Sequence, residues 1–367
     1  MVRSSSKEPS EVGNTSVTLM EVSVDRKNLI GLLPRELSSW FEERGEPAYR
    51  ARQVTFWLYR KKAARFEEMT DLPASLRKVM AEHFQIGSLR IAESLVSGDG
   101  TEKFLFALHD GHAVEGVLIP HRKHTTLCVS SQVGCPVGCP FCATGRVGFK
   151  RSLNFQEIAE EVWLVERVRG LSIDNLVFMG MGEPLLNYDH LSLALRVINA
   201  RDGLGIGARR MTISTVGVPE AIVQLGREWR EVNLAVSLHA PDNDLRSFLV
   251  PLNKVYPLSS VLKSVKEYIN LTNRRVTIEY TLWQDVNDGV REAQALVRLV
   301  GGMLVHVNII PGNQVKGSPF RPSSRDRVER FSRILQENRI NVTIRRSRGQ
   351  NIQASCGELY RIQEGEK

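Results

Sequence analysis

The apolar positions of this chain change their spacing three times, and each change marks a new kind of element. Residues 1 to about 25 are rich in Ser, Glu and Lys with few large apolar side chains, a composition that predicts a disordered tail. From about Asn28 to Phe84 the spacing is helical. Pro34 sits where a first helix would start, and Leu37, Trp40 and Phe41 have helical spacing. A second segment, Ala48 to Lys62, gathers Val54, Trp57 and Leu58 on one face, with Arg50, Arg52, Arg60, Lys61 and Lys62 among the rest. A third runs about Pro73 to His83. Together these predict a small helical domain with a basic surface. From about Gly87 to Leu127, short strand-like segments are separated by turn formers such as Ser97-Gly98-Asp99-Gly100 and Asp110-Gly111, which predicts a β-meander.

From Thr125 onward, apolar runs alternate with helical stretches. The predicted strands are Thr125 to Ser130, Asn175 to Met179, Arg210 to Thr215, Asn233 to Leu238, Arg275 to Leu282 and Leu304 to Ile310. Each holds an apolar run, as expected of strands covered on both faces. Between them, Asn154 is placed to cap a helix with Glu157 at its third position and Phe155, Ile158, Val162 and Val165 as its apolar stripe. Alternating strand and helix implies a parallel sheet with right-handed crossovers, and six such units suit an open partial (βα)6 barrel. A late strand, Asn341 to Arg346, leads into a polar loop with Cys356. The expected class is therefore α/β. The expected divisions are a tail (1–25), a helical domain (26–86), a meander linker (87–124), the partial barrel with its C-terminal loop (125–360) and a short tail (361–367).

Composition narrows the setting. The formal charge of +8 points mildly to a polyanionic partner, although such a surplus is common elsewhere. Five cysteines in 367 residues are too few for a disulfide scaffold and fit a reduced, cytoplasmic setting. No apolar stretch approaches the ~18 residues of a membrane span, so no membrane association is expected.

The chemistry is concentrated in Gly134-Cys135-Pro136-Val137-Gly138-Cys139-Pro140-Phe141-Cys142. A C-x3-C-x2-C loop offers three thiolates to a cubane cluster and leaves the fourth iron without a protein ligand, whereas electron carriers supply four cysteines. A zinc site would ordinarily show paired ligands, and the nearest histidines, His121 and His124, lie upstream on a separate segment. The spacing resembles the radical S-adenosylmethionine (SAM) superfamily, in which SAM binds the open iron. Downstream, each of several strands ends in a polar motif: Gly180-Met181-Gly182-Glu183-Pro184, Ser214, Ser237-Leu238-His239 and Asn313. In α/β sheets ligands gather at that edge. Alone, a Ser or Asn after a strand is usually a cap or turn former, but a set of them suits one SAM pocket. The glycines would let backbone approach the ligand, and Glu183 would face its ammonium.

The segments Cys128-Val129-Ser130-Ser131-Gln132-Val133-Gly134-Cys135, Phe141-Cys142-Ala143-Thr144-Gly145, Met179 to Asn187, Ser237 to Pro241, Val276 to Tyr280 and Ala354-Ser355-Cys356-Gly357 resemble the RlmN/Cfr family of radical SAM RNA methyltransferases. The likeness spans about Leu32 to Leu359. It implies methylation of C2 of an adenosine in 23S rRNA and of the adenosine 3′ of the tRNA anticodon. It implies one 4Fe-4S cluster on Cys135, Cys139 and Cys142, and two SAM molecules per turnover bound by Gly182, Glu183, Ser214, Ser237, Leu238, His239 and Asn313. Cys356 becomes the methyl carrier, whose S-methyl carbon adds to the adenine in a covalent protein–RNA adduct. Cys128 becomes the thiol that resolves it through a transient Cys128–Cys356 disulfide. Glu115 falls where the family has a proton acceptor, although a structural place on a strand face explains it equally well. An electron donor such as flavodoxin or ferredoxin and a monomeric enzyme are expected. Within the family the other reading is methylation at C8, and outside it a non-catalytic iron–sulfur RNA-binding protein, which would need neither Cys128 nor Cys356.

Overall fold

The computed structural model describes residues 26–314, 318–345, 348–355 and 357–359. Cys356 and the expected tails lie outside those described residues. Ten strands form one sheet: β1 (Arg90–Val96), β2 (Glu102–Ala107), β3 (Ala113–Pro120), β4 (Thr125–Cys128), β5 (Asn175–Phe178), β6 (Met211–Thr215), β7 (Asn233–Ser237), β8 (Val276–Leu282), β9 (Val305–Pro311) and β10 (Val342–Ile344). Each lies beside its neighbour in sequence. The first three pair antiparallel, as does β3 with β4, and every pair from β4 to β10 is parallel. The α/β class and the predicted parallel strands are therefore borne out, and the late strand expected from Asn341 to Arg346 forms as β10 at the parallel edge. The meander does not stand apart as a linker. It continues the sheet edge to edge through the pairing of Val117 with Cys128.

Eleven α-helices accompany the strands among the described residues. In the N-terminal region α1 (Pro34–Glu42), α2 (Tyr49–Tyr59) and α3 (Ala74–His83) form close to where their spacing places them. After the short α4 (Ala143–Val147) comes α5 (Phe155–Arg169), which starts on a reciprocal cap. The Asn154 side chain accepts from Gln156 N and Glu157 N, and Glu157 Oε2 accepts from Asn154 N at 2.9 Å. Then follow α6 (Tyr188–Asn199), α7 (Pro219–Glu228), α8 (Asn243–Leu249), α9 (Leu258–Thr272), α10 (Val290–Val300) and α11 (Arg325–Glu337).

Helix α5 is covered on both sides. Its apolar stripe packs on the sheet, and the N-terminal helices dock on its other face. There Trp163 Nε1 donates to Leu58 O at 2.7 Å, Asn28 Nδ2 donates to Glu160 Oε2 at 3.0 Å, and Lys62 pairs with Glu166. Acidic side chains that would ordinarily face water are thus buried with partners, because an unpaired one would cost several kcal/mol.

The segment after β10 crosses back to the other edge of the sheet. Arg348 Nη1 donates to Pro120 O at 2.6 Å, Gly349 N donates to Asp99 Oδ2 at 3.2 Å, and Ser97 Oγ donates to Asn351 Oδ1 at 2.6 Å. Beyond Cys356 it is held by Ala143 N, which donates to Gly357 O at 2.8 Å, and by Thr144 Oγ1, which donates to Leu359 O at 2.6 Å. This strap links the two edges of an open partial barrel.

Candidate active site

The cysteine loop is closed at its base by a small hairpin that sequence spacing did not disclose, in which Gln132–Gly134 pairs with Phe149–Ser152. Gly134 has φ of +73°, and a Cβ there would lie 1.7 Å from Gly148 O, so only glycine lets the two sides meet. Cys135 N donates to Gly148 O at 3.2 Å, and Cys142 N donates to Cys139 O at 3.1 Å. Burial pushes the Cys135 thiol up to about 12 and Cys139 well above its ordinary value. Such thiols ionise only beside a cation, which an iron cluster provides. Among the described residues no three His, Cys, Asp or Glu side chains converge as on a single ion. Three thiols on one loop, all lining one cavity, suit a cluster with an open iron better than a zinc knot, which takes four ligands.

This loop faces a cavity at the carboxyl ends of the parallel strands. Cys135, Cys139, Cys142, Gly182, Glu183, Ser214, Ser237, His239 and Asn313 all line it, so residues spread over 179 positions of sequence (135 to 313) share one chamber. Leu238 does not line it: its side chain is fully buried, and its carbonyl accepts from Arg246 Nε at 3.2 Å.

Glu183 is anchored twice. Oε1 accepts from Leu185 N at 3.1 Å, and Oε2 accepts from Val216 N at 2.8 Å. Burial raises its carboxyl to about 7, held back by those hydrogen bonds and by Arg246. Gly182 has φ of +104°, and a Cβ would meet Ser131 Oγ and Gln132 Cβ at 2.7 Å. Its role is to let this motif pack against the segment entering the cysteine loop, in addition to edging the cavity. His239 also adopts a left-handed backbone, φ 58°, held by Asn287 Nδ2 donating to its carbonyl at 2.8 Å. Its Nδ1 accepts from Thr281 N at 3.0 Å, which fixes the proton on Nε2. Burial lowers its pKa to about 3, so it is a neutral donor.

Sequence spacing missed Arg246. It is almost fully buried, and it donates to Asn253 Oδ1 at 2.7 Å and to the carbonyls of Val216, Ser237 and Leu238. One guanidinium thus gathers the ends of β6 and β7 beneath the chamber. Phe141 and Trp283, with centroids 5.7 Å apart, add an aromatic wall.

A second cavity fills the barrel interior nearer the amino ends of the strands. It shares Met179, Glu279, Ile310, Asn313 and Arg345 with the first. Cys128 lines this lower chamber, as do Ala354, Ser355 and Leu359, while Gly357 lines the upper one. The residues on either side of Cys356 therefore border both chambers. Glu115 lies in a third recess under the strap, with Lys103, Asn351, Ile352 and Gln353. It occupies the same sheet face as Cys128, because Cys128 pairs with Val117 two positions along β3.

Comparison with known proteins agrees with this architecture. Residues 129–297 match the radical SAM superfamily model, and residues 27–86 match the ribosomal RNA large subunit methyltransferase N-terminal domain. The chain is 46% identical over 334 residues to a probable dual-specificity RNA methyltransferase RlmN of Thermotoga neapolitana, covering 91% of this chain and 97% of that one. The chain belongs to the RlmN family of radical SAM RNA methyltransferases. A Bacillus cytotoxicus RlmN relative is 42% identical over 91% of this chain and 93% of its own. A solved radical SAM methyltransferase from Sphaerobacter thermophilus superposes with a TM-score of 0.88 at 43% identity, covering 91% of this chain and 99% of that one. Membership of the family brings an iron–sulfur cluster, SAM and an RNA substrate. No helix among the described residues is long and apolar enough to cross a membrane.

Proposed function

We propose that this enzyme methylates C2 of an adenosine in 23S rRNA at the peptidyl transferase centre and C2 of the adenosine 3′ of the tRNA anticodon. The observation that carries the reading is the two-chamber barrel, with Cys128 in the lower chamber and the flanks of Cys356 bordering both. The dual-specificity relatives support both RNA classes. Adenine C2 has no lone pair, so a polar attack on a methyl donor is closed to it, and a carrier thiol answers that difficulty.

When bound to Cys135, Cys139 and Cys142, one 4Fe-4S cluster with two SAM molecules per turnover supplies the methyl group, the hydrogen-atom abstraction and the one-electron changes. The chain's own residues do the rest. Glu183 meets the SAM ammonium, Ser214, Ser237 and Asn313 meet its polar groups, and the His239 Nε2–H donates into the chamber. Cys356 accepts a methyl group as a thiolate, and its methyl carbon then forms a bond to adenine C2. Glu115 takes the C2 proton. The Cys128 thiolate attacks the Cys356 sulfur, the carbon–sulfur bond breaks, and its electron pair stays on the carbon, which a proton converts to methyl. The resulting Cys128–Cys356 disulfide is reduced before the next cycle. A flavodoxin- or ferredoxin-type donor, a monomeric state and a cytoplasmic location complete the proposal.

Nucleosides from RNA of cells with and without the gene test the regiochemistry. The expected result is 2-methyladenosine in 23S rRNA and tRNA that vanishes on deletion, and 8-methyladenosine would overturn it. Cys128→Ala should stop turnover and leave nuclease-sensitive RNA covalently attached to the protein on a denaturing gel. Cys356→Ala should form no adduct. If Cys128→Ala turns over normally, the resolving role is wrong.

A further inference from the structure

Lys103 is a nearly buried lysine on the antiparallel part of the sheet, and its Nζ does two things. It pairs with Glu115 Oε1 at 3.0 Å, with side chains only 10% and 2% exposed, and it donates to Gln353 O at 3.3 Å. Gln353 stands three positions before Cys356. One ammonium therefore touches both the carboxylate facing the Cys128 side of the sheet and the backbone of the segment that carries the methyl. On an antiparallel pair, diagonal neighbours such as Glu115 and Cys128 lie about 7–8 Å apart on one sheet face, Glu115 lining the recess under the strap and Cys128 the lower chamber. A carboxylate this buried keeps its charge only with a cation beside it, and a proton acceptor must keep its charge.

We propose that Lys103 is a positioning residue for the known reaction: by bridging Glu115 and Gln353, it holds the proton acceptor ionised and in register with the methyl-carrying segment, so that the C2 proton leaves only when that segment is seated. The inference rests on Glu115 being the acceptor. The step it governs breaks the C2–H bond of the adduct, leaves the electron pair with the ring and delivers the proton to the Glu115 carboxylate. Lys103 neither gains nor loses a proton in it.

The test compares Lys103→Met, Lys103→Gln, Lys103→Arg and Glu115→Gln in the full-length, cluster-loaded enzyme, with iron content and melting temperature as controls for folding. Lys103→Met and Lys103→Gln are expected to be isolated with Cys356 methylated, by intact mass. They should form the RNA adduct and release it at least tenfold more slowly than the unsubstituted enzyme. Deuterium at adenine C2 should slow that release further in these variants. Lys103→Arg, which keeps the charge and both contacts, should recover most of the release rate. Unmethylated Cys356 and no adduct in the folded Lys103 variants would show that Lys103 anchors the strap alone, and would overturn the proposal. So would normal turnover, or a loss that arginine does not rescue. Glu115→Gln separates the layers. If it turns over normally, the acceptor reading itself fails, whereas adduct accumulation in Glu115→Gln but not in Lys103→Met sinks only the role of Lys103.

Discussion

Glu183 shows how one residue's surroundings set a measurable property of the enzyme. Its carboxyl is raised to about 7 by burial, so in the absence of ligand it is half protonated near neutrality. On the proposed binding mode a cationic ammonium sits beside it and favours the ionised form, so binding SAM expels a proton below that pH. The sign follows directly: affinity is full above about 7 and falls as the pH drops, approaching about tenfold per pH unit under one-proton linkage. Titration calorimetry of SAM in buffers of different ionisation enthalpy, from pH 5.5 to 8.5, should show both the slope and the proton release. Glu183→Gln should bind weakly and without that slope. His239, with its pKa near 3, should contribute nothing to the profile. Single residues were legible in the sequence when they sat in motifs with fixed spacing, as the three cluster cysteines and Glu183 do. Arg246, Lys103 and Glu160 were not, because a lone charged residue in a helix or strand carries no spacing. Only the fold reveals that its partners are distant carbonyls and carboxylates.

At the scale of elements, Arg246 ties together the backbone just beyond the last paired residues of β6 and β7, Thr215 and Val236. Losing one partner from a buried, multiply bonded charge costs several kcal/mol, because the carbonyls left behind are unsatisfied. Arg246→Met should therefore lower stability by about 3 kcal/mol, seen as a fall in melting temperature. It should also weaken SAM binding more than tenfold while leaving the iron content of the folded fraction near normal. A variant that bound SAM normally would show that the ends of β6 and β7 hold themselves. The parallel strands were readable because strands covered on both faces are rich in apolar residues on both, as in β8, where all positions but Thr277 are buried. The Gln132–Gly134 hairpin was not, since three residues including a glycine are too short for periodicity to register. The glycines at Gly180 and Gly182 were visible, but their reason was only partly so: a Cβ at Gly180 would strike Val129 O at 2.6 Å, which is chain against chain.

Across the whole molecule, the strap decides whether the site is complete. It leaves the β10 edge and its hydrogen bonds reach the β1 end of the sheet, yet nothing in the local sequence near Asp99 announces a partner at Gly349. Edge-to-edge continuation of the meander was hidden for the same reason, because pairing between strands leaves no mark on either strand alone. Hydrogen bonding to Thr101 N and Gly349 N holds the Asp99 carboxyl down, to about 2, even against its desolvation, so this anchor persists throughout the physiological range. Asp99→Ala removes the cap at an exposed turn, a change worth roughly 1 kcal/mol. The global melting temperature should move little. The strap should loosen, however, so that limited proteolysis cleaves near residues 348–355 several-fold faster and adduct formation slows. Cleavage at the unsubstituted rate would mean that Lys103, Ser97 and Arg348 suffice.

The strap also sets an order in time. Ser97 and Asn351 are 254 positions apart, and Lys103 and Gln353 are 250. At ribosomal speeds of about 5–20 residues per second, the turn at Ser97 waits on the order of ten to fifty seconds for its partner to be synthesised. The cysteines of the cluster loop are synthesised early in that interval, and Cys356 only after it has closed. A nascent chain at that stage therefore owns the loop for an iron–sulfur cluster but not the thiol proposed to carry carbon to RNA. On the proposed assignment, the capacity to modify RNA arrives only once Cys356 has been synthesised.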